Sequence, residues 1–161
     1  MKLDRYPYYA NASFFDFDFE SEGPKGKIRK IARFIKIRRN LYSFGFGDLD
    51  ANTGDISDTV VSNNGDGVKV LATVAYIVYD FTTMYRDAAI YIEGSTPART
   101  RWYQMNIGAY MLEINVIFEI YGFQNARWEP FRKGINYKAF MGQRRQLPDQ
   151  LFDDQQHKAG S

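Results

Sequence analysis

Residues 14–20 read FFDFDFE, and this stretch decides the architecture of the N-terminal half. Acidic residues alternate there with three phenylalanines, which are Phe15, Phe17 and Phe19. A period of two is typical of a strand with one buried face, because successive side chains point to opposite sides. A turn containing glycine and proline follows. The stretch therefore predicts the first strand of an antiparallel sheet whose phenylalanines enter the core.

Two further strands extend this sheet into a meander. Residues 27–37 are basic and β-branched, and a bulge reconciles their uneven alternation with a second strand. The alternative is a basic amphipathic helix, since the isoleucines also fit helical spacing, but the preceding turn favours the strand. Residues 41–49 predict a third strand with three aromatic residues on one face, which are Tyr42, Phe44 and Phe46.

The C-terminal half alternates helices and strands. A wide apolar stripe predicts a long helix over residues 68–85, and a short apolar strand follows at 88–93. Thr96 is a good N-cap, and Pro97 suits the first helical position of a second helix that reaches about residue 121. The last predicted strand, or strand pair, covers residues 128–141, and a short one is expected at 59–62. The order β-β-β-α-β-α-β predicts an α+β fold: a mixed sheet made of an antiparallel meander plus β-α-β-type elements, with two long helices.

Composition limits the chemistry that is available. The chain has 161 residues, which predicts one globular domain over residues 1–145 and a mobile polar tail over 146–161. It has no cysteine and a single histidine, His157, so disulfides, thiolate sites, a Ser-His-Asp triad and multi-histidine metal sites are not expected. We expect no metal and no cofactor. No apolar run is long enough for a membrane span and no signal peptide is visible, so a cytoplasmic location without a membrane partner is predicted.

Charge is unevenly distributed along the chain although the net charge is only +2. Residues 23–39 contain eight basic residues and no acid, whereas residues 48–66 contain five aspartates and no base. The two blocks either face each other or form separate poles. The spacing of the acidic block departs from that of a calcium loop, and turns closed by aspartate side chains explain it better.

The segment around residue 95 combines features of an anion site. A strand ends there in glycine, and Ser95 and Thr96 lead into a helix whose free backbone N–H groups and dipole attract negative charge. Arg99 and Arg101 add guanidinium groups suited to phosphate or carboxylate. We therefore predict an anion-binding site at Ser95, Thr96, Arg99 and Arg101. The alternative is that Thr96 only caps the helix while both arginines pair with nearby acids.

Basic residues next to aromatic ones indicate how a single-stranded nucleic acid could be held. The backbone contacts are predicted at Lys25, Lys27, Arg29, Lys30 and Arg33. The stacking candidates are Tyr42, Phe44, Phe46 and Trp102. The alternative is a solvated basic strand over a phenylalanine-rich core. The first hypothesis is thus a non-catalytic domain that binds a phosphate-bearing partner, above all nucleic acid.

Two other functions stay open. One is a protein-interaction module or homodimer that uses an aromatic sheet face. The other is a metal-dependent nuclease, because the strand and helix order resembles the ribonuclease H-like fold, which holds two divalent metals on acids. The acids in comparable elements are Asp16 or Asp18, Asp80 and Glu93. Because Asp16 and Asp18 alternate with the phenylalanines, they are expected to face solvent, which argues against this function.

Several longer motifs resemble a family of small uncharacterised proteins from Bacteroidetes-type bacteria. The motifs are GPKG at 23–26, FGD at 46–48, VVSNNGD at 60–66, KVLATV at 69–74 and GSTPARTR at 94–101. The similarity covers about residues 6–145. It implies a bacterial, single-domain protein, and it implies no activity.

Overall fold

The computed structural model describes residues 4–57 and 64–146, and its eight strands form one mixed sheet. The strands are β1 (Tyr9–Ala10), β2 (Asp16–Gly23), β3 (Gly26–Arg38), β4 (Leu41–Asp48), β5 (Ala89–Ile92), β6 (Phe118–Gln124), β7 (Arg127–Pro130) and β8 (Ala139–Arg144). The helices are α1 (Gly67–Met84), α2 (Pro97–Ala109) and α3 (Met111–Ile117). The order across the sheet is β1-β2-β3-β4-β5-β8-β6-β7. The α+β class is confirmed.

The predicted meander is confirmed in strands β2, β3 and β4, which pair antiparallel. The register places Phe17 opposite Ala32 and Phe34 opposite Phe44, so all four side chains share one face. The ladder shifts register between Lys36 and Arg38, which is the irregularity that the uneven alternation predicted. Residues 27–37 therefore lie in a strand and not in an amphipathic helix.

Helices α1 and α2 pack against the face that carries these phenylalanines, called here the inner face. The ring of Phe81 on α1 stacks on Phe34 with centroids 3.8 Å apart, and Tyr103 on α2 meets Phe44 edge to face. Helix α1 connects β4 to β5, which pair in parallel as a crossover connection requires. The outer face carries the acids of β2 and the arginines of β3. Most of the 27 aromatic residues of the chain therefore lie in the core between the sheet and the helices or pack against it.

The predicted long helix over residues 97–121 is wrong in its second half. Helix α2 ends at Ala109, α3 is only seven residues long, and residues 118–124 form strand β6 between β7 and β8. Of the two interpretations of residues 128–141, a single strand or a strand pair, the structure has two strands, β7 and β8. The strand expected at residues 59–62 and the tail from residue 147 lie outside the described residues.

Candidate anion-binding site

A cavity of about 230 Å³ opens between the N-terminal ends of α1 and α2 and the last residues of β4. Ligands of α/β sheets commonly bind beyond the carboxyl ends of parallel strands, and this cavity has that position at the β4–β5 pair. Its walls combine charged groups with aromatic rings. The charged residues are Lys30, Asp48, Asp66 and Arg99, and the larger apolar ones are Phe46, Val70, Trp102 and Tyr103.

Arg99 reaches this cavity because the start of α2 is tightly fixed. The hydroxyl of Thr96 accepts a hydrogen bond from the Arg99 backbone N–H at 3.2 Å, which confirms the predicted N-cap. A Cβ on Gly47 would come within 3.3 Å of the guanidinium nitrogens, so the glycine leaves the space that this group occupies. The guanidinium then donates to the backbone carbonyl of Ser57.

Arg99 is buried and, within residues 4–57 and 64–146, its guanidinium has no counter-ion. The residue is 8% exposed, and within the described residues no carboxylate lies at ion-pair distance from it. Taking a charge out of water costs several kcal/mol, roughly, unless an opposite charge and hydrogen bonds replace the lost hydration. Within the described residues, this charge is therefore compensated by the hydrogen bond to the Ser57 carbonyl and by no ion pair.

Lys30 is the second buried cation of the cavity, and it is paired. It lies on the inner face of β3 directly opposite Asp48 of β4, and the ammonium and the carboxylate form an ion pair. Lys30 is 3% exposed and Asp48 is 8% exposed. Because each charge satisfies the other, this pair serves as a fixed polar wall rather than as a free binding group.

Asp66 closes the cavity at the start of α1. Tyr6 and Ser21 each donate a hydrogen bond of 2.6 Å to its Oδ2 atom. Burial alone would raise the pKa of Asp66, but these hydrogen bonds and the charge of Lys30 hold that pKa below its usual value. The carboxylate therefore stays ionised, and its Oδ2 atom accepts two hydrogen bonds.

The aromatic side of the cavity is the end of a row of stacked rings. Tyr6 stacks on Phe19, Phe19 stacks on Phe46, and Phe46 stacks on Trp102, with centroids 5.7–6.1 Å apart. The Trp102 ring also meets Tyr103 edge to face at 5.3 Å. Phe46 and Trp102 are half-buried, so the cavity side of the row stays accessible.

The predicted basic strand is largely neutralised within the sheet. Arg33 donates hydrogen bonds from two nitrogens to Asp16 and also forms an ion pair with Asp55. Arg29 forms an ion pair with Asp18 at 2.6 Å. The remaining pairs are Lys27 with Glu22 and Lys30 with Asp48. Lys25 is exposed and forms no ion pair within the described residues. The acids of β2 thus occupy most of the charge that a nucleic-acid backbone would need.

The two arginines predicted to act together face different spaces. Arg99 lines the cavity, whereas Arg101 lines an open groove of about 550 Å³ with Ser95, Thr96 and Lys138. Neither Arg101 nor Lys138 forms an ion pair in the described part of the chain. The predicted anion site at the start of α2 is therefore divided into a buried half and an exposed half.

The four stacking candidates also separate into two pairs. Tyr42 and Phe44 lie in the core at 7% and 4% exposure, so protein already covers both rings and leaves no face for a base. Phe46 and Trp102 instead form the aromatic wall of the cavity. Only these two are placed to contact a ligand.

The acids considered for a nuclease do not converge. Asp16 and Asp18 pair with arginines on the outer face, while Asp80 on α1 accepts a hydrogen bond from Tyr8. Glu93 accepts one from Tyr91 at 2.7 Å. Across residues 4–57 and 64–146 no three acids or histidines are grouped as a metal ion would need. The arrangement of these acids gives the nuclease hypothesis no support.

Sequence reasoning did not identify Asp48 and Asp66 as site residues, and it predicted Lys30 as a contact to a nucleic-acid backbone rather than as half of a buried ion pair. The signal was present in the alternation. Lys30 is in phase with Phe34 in β3, and Asp48 is in phase with Phe44 in β4, so both belong to the inner face. Two opposite charges in a row of core positions indicate a buried ion pair.

Comparison with known proteins identifies the family of this chain. The profile of DUF6934, described as a family of unknown function, matches residues 2–145. The chain belongs to this family. No curated protein and no solved structure matches it. Within the described residues, no helix is long and apolar enough to cross a membrane.

Proposed function

We propose that this protein is a binding domain that takes up an anionic ligand in the Arg99 cavity. The observation that carries the proposal is that Arg99 lines the cavity, is buried, and has no carboxylate partner within the described residues. Charge-assisted hydrogen bonds from arginine to a carboxylate or phosphate are about twice as strong as neutral ones. A bound anion would therefore offset the cost of burying Arg99.

Binding without catalysis fits the other charged groups of the cavity. Asp48 is held by Lys30, and Asp66 already accepts two hydrogen bonds, so both carboxylates are occupied. A general base must be able to reach and accept a proton from its substrate. A lowered pKa makes Asp66 a weaker base than an ordinary carboxylate. These groups are suited to position a ligand.

Isothermal titration calorimetry with small anions tests the proposal. The probes are acetate, inorganic phosphate and benzoate, each titrated into the wild type, Arg99→Gln and Arg39→Gln. Arg39 is an exposed residue without an ion pair in the described part of the chain, so its variant makes the same charge change away from the cavity. At least one probe should bind the wild type and Arg39→Gln, and the Arg99→Gln variant should lose about tenfold in affinity or more.

Failure of the glutamine variant to fold would not end this test. Arg99→Lys keeps the positive charge but loses the planar fork, so it should retain weak binding of the same probe. The proposal is wrong if no probe binds the wild type, or if Arg99→Gln binds as tightly as Arg39→Gln.

Nucleic-acid binding is a second candidate function, and the exposed half of the α2 start favours it. Arg101 and Lys138 line one open groove with the Ser95 and Thr96 hydroxyls, and both cations are unpaired in the described part of the chain. Glu93 also lines the groove and opposes an anion there. Two phosphate contacts would give only weak, strongly salt-dependent binding.

Fluorescence anisotropy with a short single-stranded DNA and RNA, measured at several salt concentrations, tests this candidate. The double variant Arg101→Gln/Lys138→Gln should reduce the slope of log affinity against log salt by roughly 1.4, since each phosphate contact contributes about 0.7 for single strands. The control is Arg127→Gln on the exposed strand β7. An unchanged slope in the double variant would refute nucleic-acid binding at this groove.

The bacterial origin, the cytoplasmic location and any protein partner of this chain are also proposals. The family resemblance in the sequence supports a bacterial origin, and the cysteine-free composition is compatible with a reducing cytoplasm. A homodimer or protein partner is tested by light scattering after size-exclusion chromatography. A mass near that of the 18.7 kDa chain would argue against the homodimer.

A further inference from the structure

The geometry points to a ligand class: a small aromatic monocarboxylate, with its acid group on Arg99 and its ring against Trp102. This inference rests on the proposed function, because it names the anion that the cavity would take. Three observations lead to it: the size of the cavity, the row of stacked rings at its wall, and the balance of charges around it.

The size of the cavity limits the ligand to about one ring. An apolar cavity of about 150 Å³ accommodates benzene, whereas drug-sized ligands occupy pockets of roughly 300–1,000 Å³. The volume of about 230 Å³ lies between these cases. A single ring with a carboxylate fits this space, and a nucleotide or an oligomer does not fit inside it.

The stacked row favours a flat ligand. Trp102 is the last ring of the series that begins at Tyr6, and its contact with Phe46 has an interplanar angle of 27°. Aromatic pairs in offset-stacked or edge-to-face geometry are stabilised beyond the area that they bury. A planar ring that packs against Trp102 would gain this contribution, and a saturated ring of equal size would not.

The charges around the cavity select a single negative charge. Lys30 and Arg99 are balanced in number by Asp48 and Asp66. Lys30 is committed to Asp48, which leaves Arg99 as the cation for the ligand. A dianion such as a phosphate monoester would bring its second charge close to the Asp66 carboxylate, and that repulsion opposes binding.

A variant with one tryptophan reports directly on this cavity. The chain has two tryptophans, and Trp128 lies on β7, where it contacts Tyr91 and Phe123 away from the cavity. In the Trp128→Phe background, Trp102 is the single fluorophore of its kind. Benzoate should change its fluorescence saturably, with an affinity about tenfold or more above that of acetate and inorganic phosphate. The affinity for benzoate should also be about threefold or more above the affinity for cyclohexanecarboxylate.

Calorimetry on two leucine variants then assigns the preference to the ring. Trp102→Leu should bind benzoate no better than cyclohexanecarboxylate, whereas Trp128→Leu should keep the wild-type preference. If the leucine variant at 102 does not fold, Trp102→Phe keeps a ring and should preserve the preference for benzoate.

The outcomes separate the ligand class from the proposed function. Equal affinities for benzoate, cyclohexanecarboxylate and acetate would overturn the aromatic class and leave anion binding intact. Tighter binding of phosphate than of benzoate would overturn the monocarboxylate. If none of the four anions binds, the proposed function and the ligand class are both wrong.

Discussion

The two buried cations of the cavity, Lys30 and Arg99, differ in whether a carboxylate of the described residues compensates their charge. Lys30 faces Asp48 across the β3–β4 ladder, so its charge is compensated inside the protein. Arg99 has the Ser57 carbonyl as its acceptor and no carboxylate partner in the described part of the chain. A residue that costs stability in the ligand-free state is typical of a functional position. The difference between the two residues is measurable.

Substitution of each cation by methionine should separate these situations. Lys30→Met leaves Asp48 buried without its partner, and this should cost about 3–5 kcal/mol of unfolding free energy. Arg99→Met removes a buried charge that has no carboxylate partner among the described residues, together with one hydrogen bond, so its cost should be within about 1.5 kcal/mol. Urea denaturation of both variants, without added anions, measures the two values. Equal losses would contradict the assignment of Arg99 as the uncompensated cation.

The start of helix α2 is the element that places Arg99 at the cavity. Thr96 caps the helix, and the Gly94 backbone N–H donates to the Thr100 hydroxyl at 3.1 Å. A Cβ on Gly94 would lie 2.3 Å from the Thr100 backbone nitrogen, which no side-chain rotation can relieve. The glycine therefore permits the close approach between the end of β5 and the first turn of α2.

Alanine substitutions at two glycines test this role. Gly94→Ala should destabilise the fold by about 1–3 kcal/mol or more, because the backbone must move. Gly108→Ala lies within α2, where an added Cβ meets a side chain at an ordinary 3.8 Å, so it should stabilise by up to about 1 kcal/mol. Thermal unfolding of both variants shows whether each substitution raises or lowers the stability of the fold. A neutral Gly94→Ala would show that the α2 start tolerates a shift.

The sequence predictions are correct where residues close together in the chain determine the structure, and wrong where a distant strand determines it. Strands β2–β4 are specified by their own alternation and by short turns, so they were predictable. Strand β6 instead depends on pairing with β8, which follows it by fourteen residues. The turn that joins β6 to β7 has Asn125 and Ala126 at positive φ, whereas the usual sequence signal for such a turn is Asn-Gly. A helical interpretation of residues 118–121 was therefore locally reasonable and wrong.

At the scale of the whole molecule, the charges divide between the two faces of the sheet. On the outer face the acids of β2 pair with the bases of β3, as Asp16–Arg33 and Asp18–Arg29 illustrate. On the inner face the charges concentrate at the cavity. The sequence revealed Arg99 as a candidate, but it could not show which cations were already neutralised. That depends on cross-strand register, which composition does not contain.

The network at Asp66 makes stability depend on pH. The pKa of Asp66 is lower in the folded state than its usual 3.8, so the group binds protons less readily when the protein is folded. The stabilising contribution of Asp66 is complete above its usual pKa of 3.8 and is lost as the pH falls through the lower folded-state pKa. Asp66→Asn should therefore lose less stability than the wild type between about pH 7 and about pH 3. Urea midpoints at the two pH values measure this, and parallel losses would contradict it.

The most direct test of the account is the NMR signal of the Arg99 side chain during a benzoate titration. In ¹⁵N-labelled protein the Arg99 Nε–H resonance, assigned by its loss in Arg99→Lys, should shift saturably together with the Trp102 indole N–H. The resonances of Arg39 and Trp128 should stay in place. Saturable shifts confined to the cavity would confirm that a buried guanidinium binds the anion. An Arg99 signal that does not move while benzoate shifts other residues would contradict the central claim.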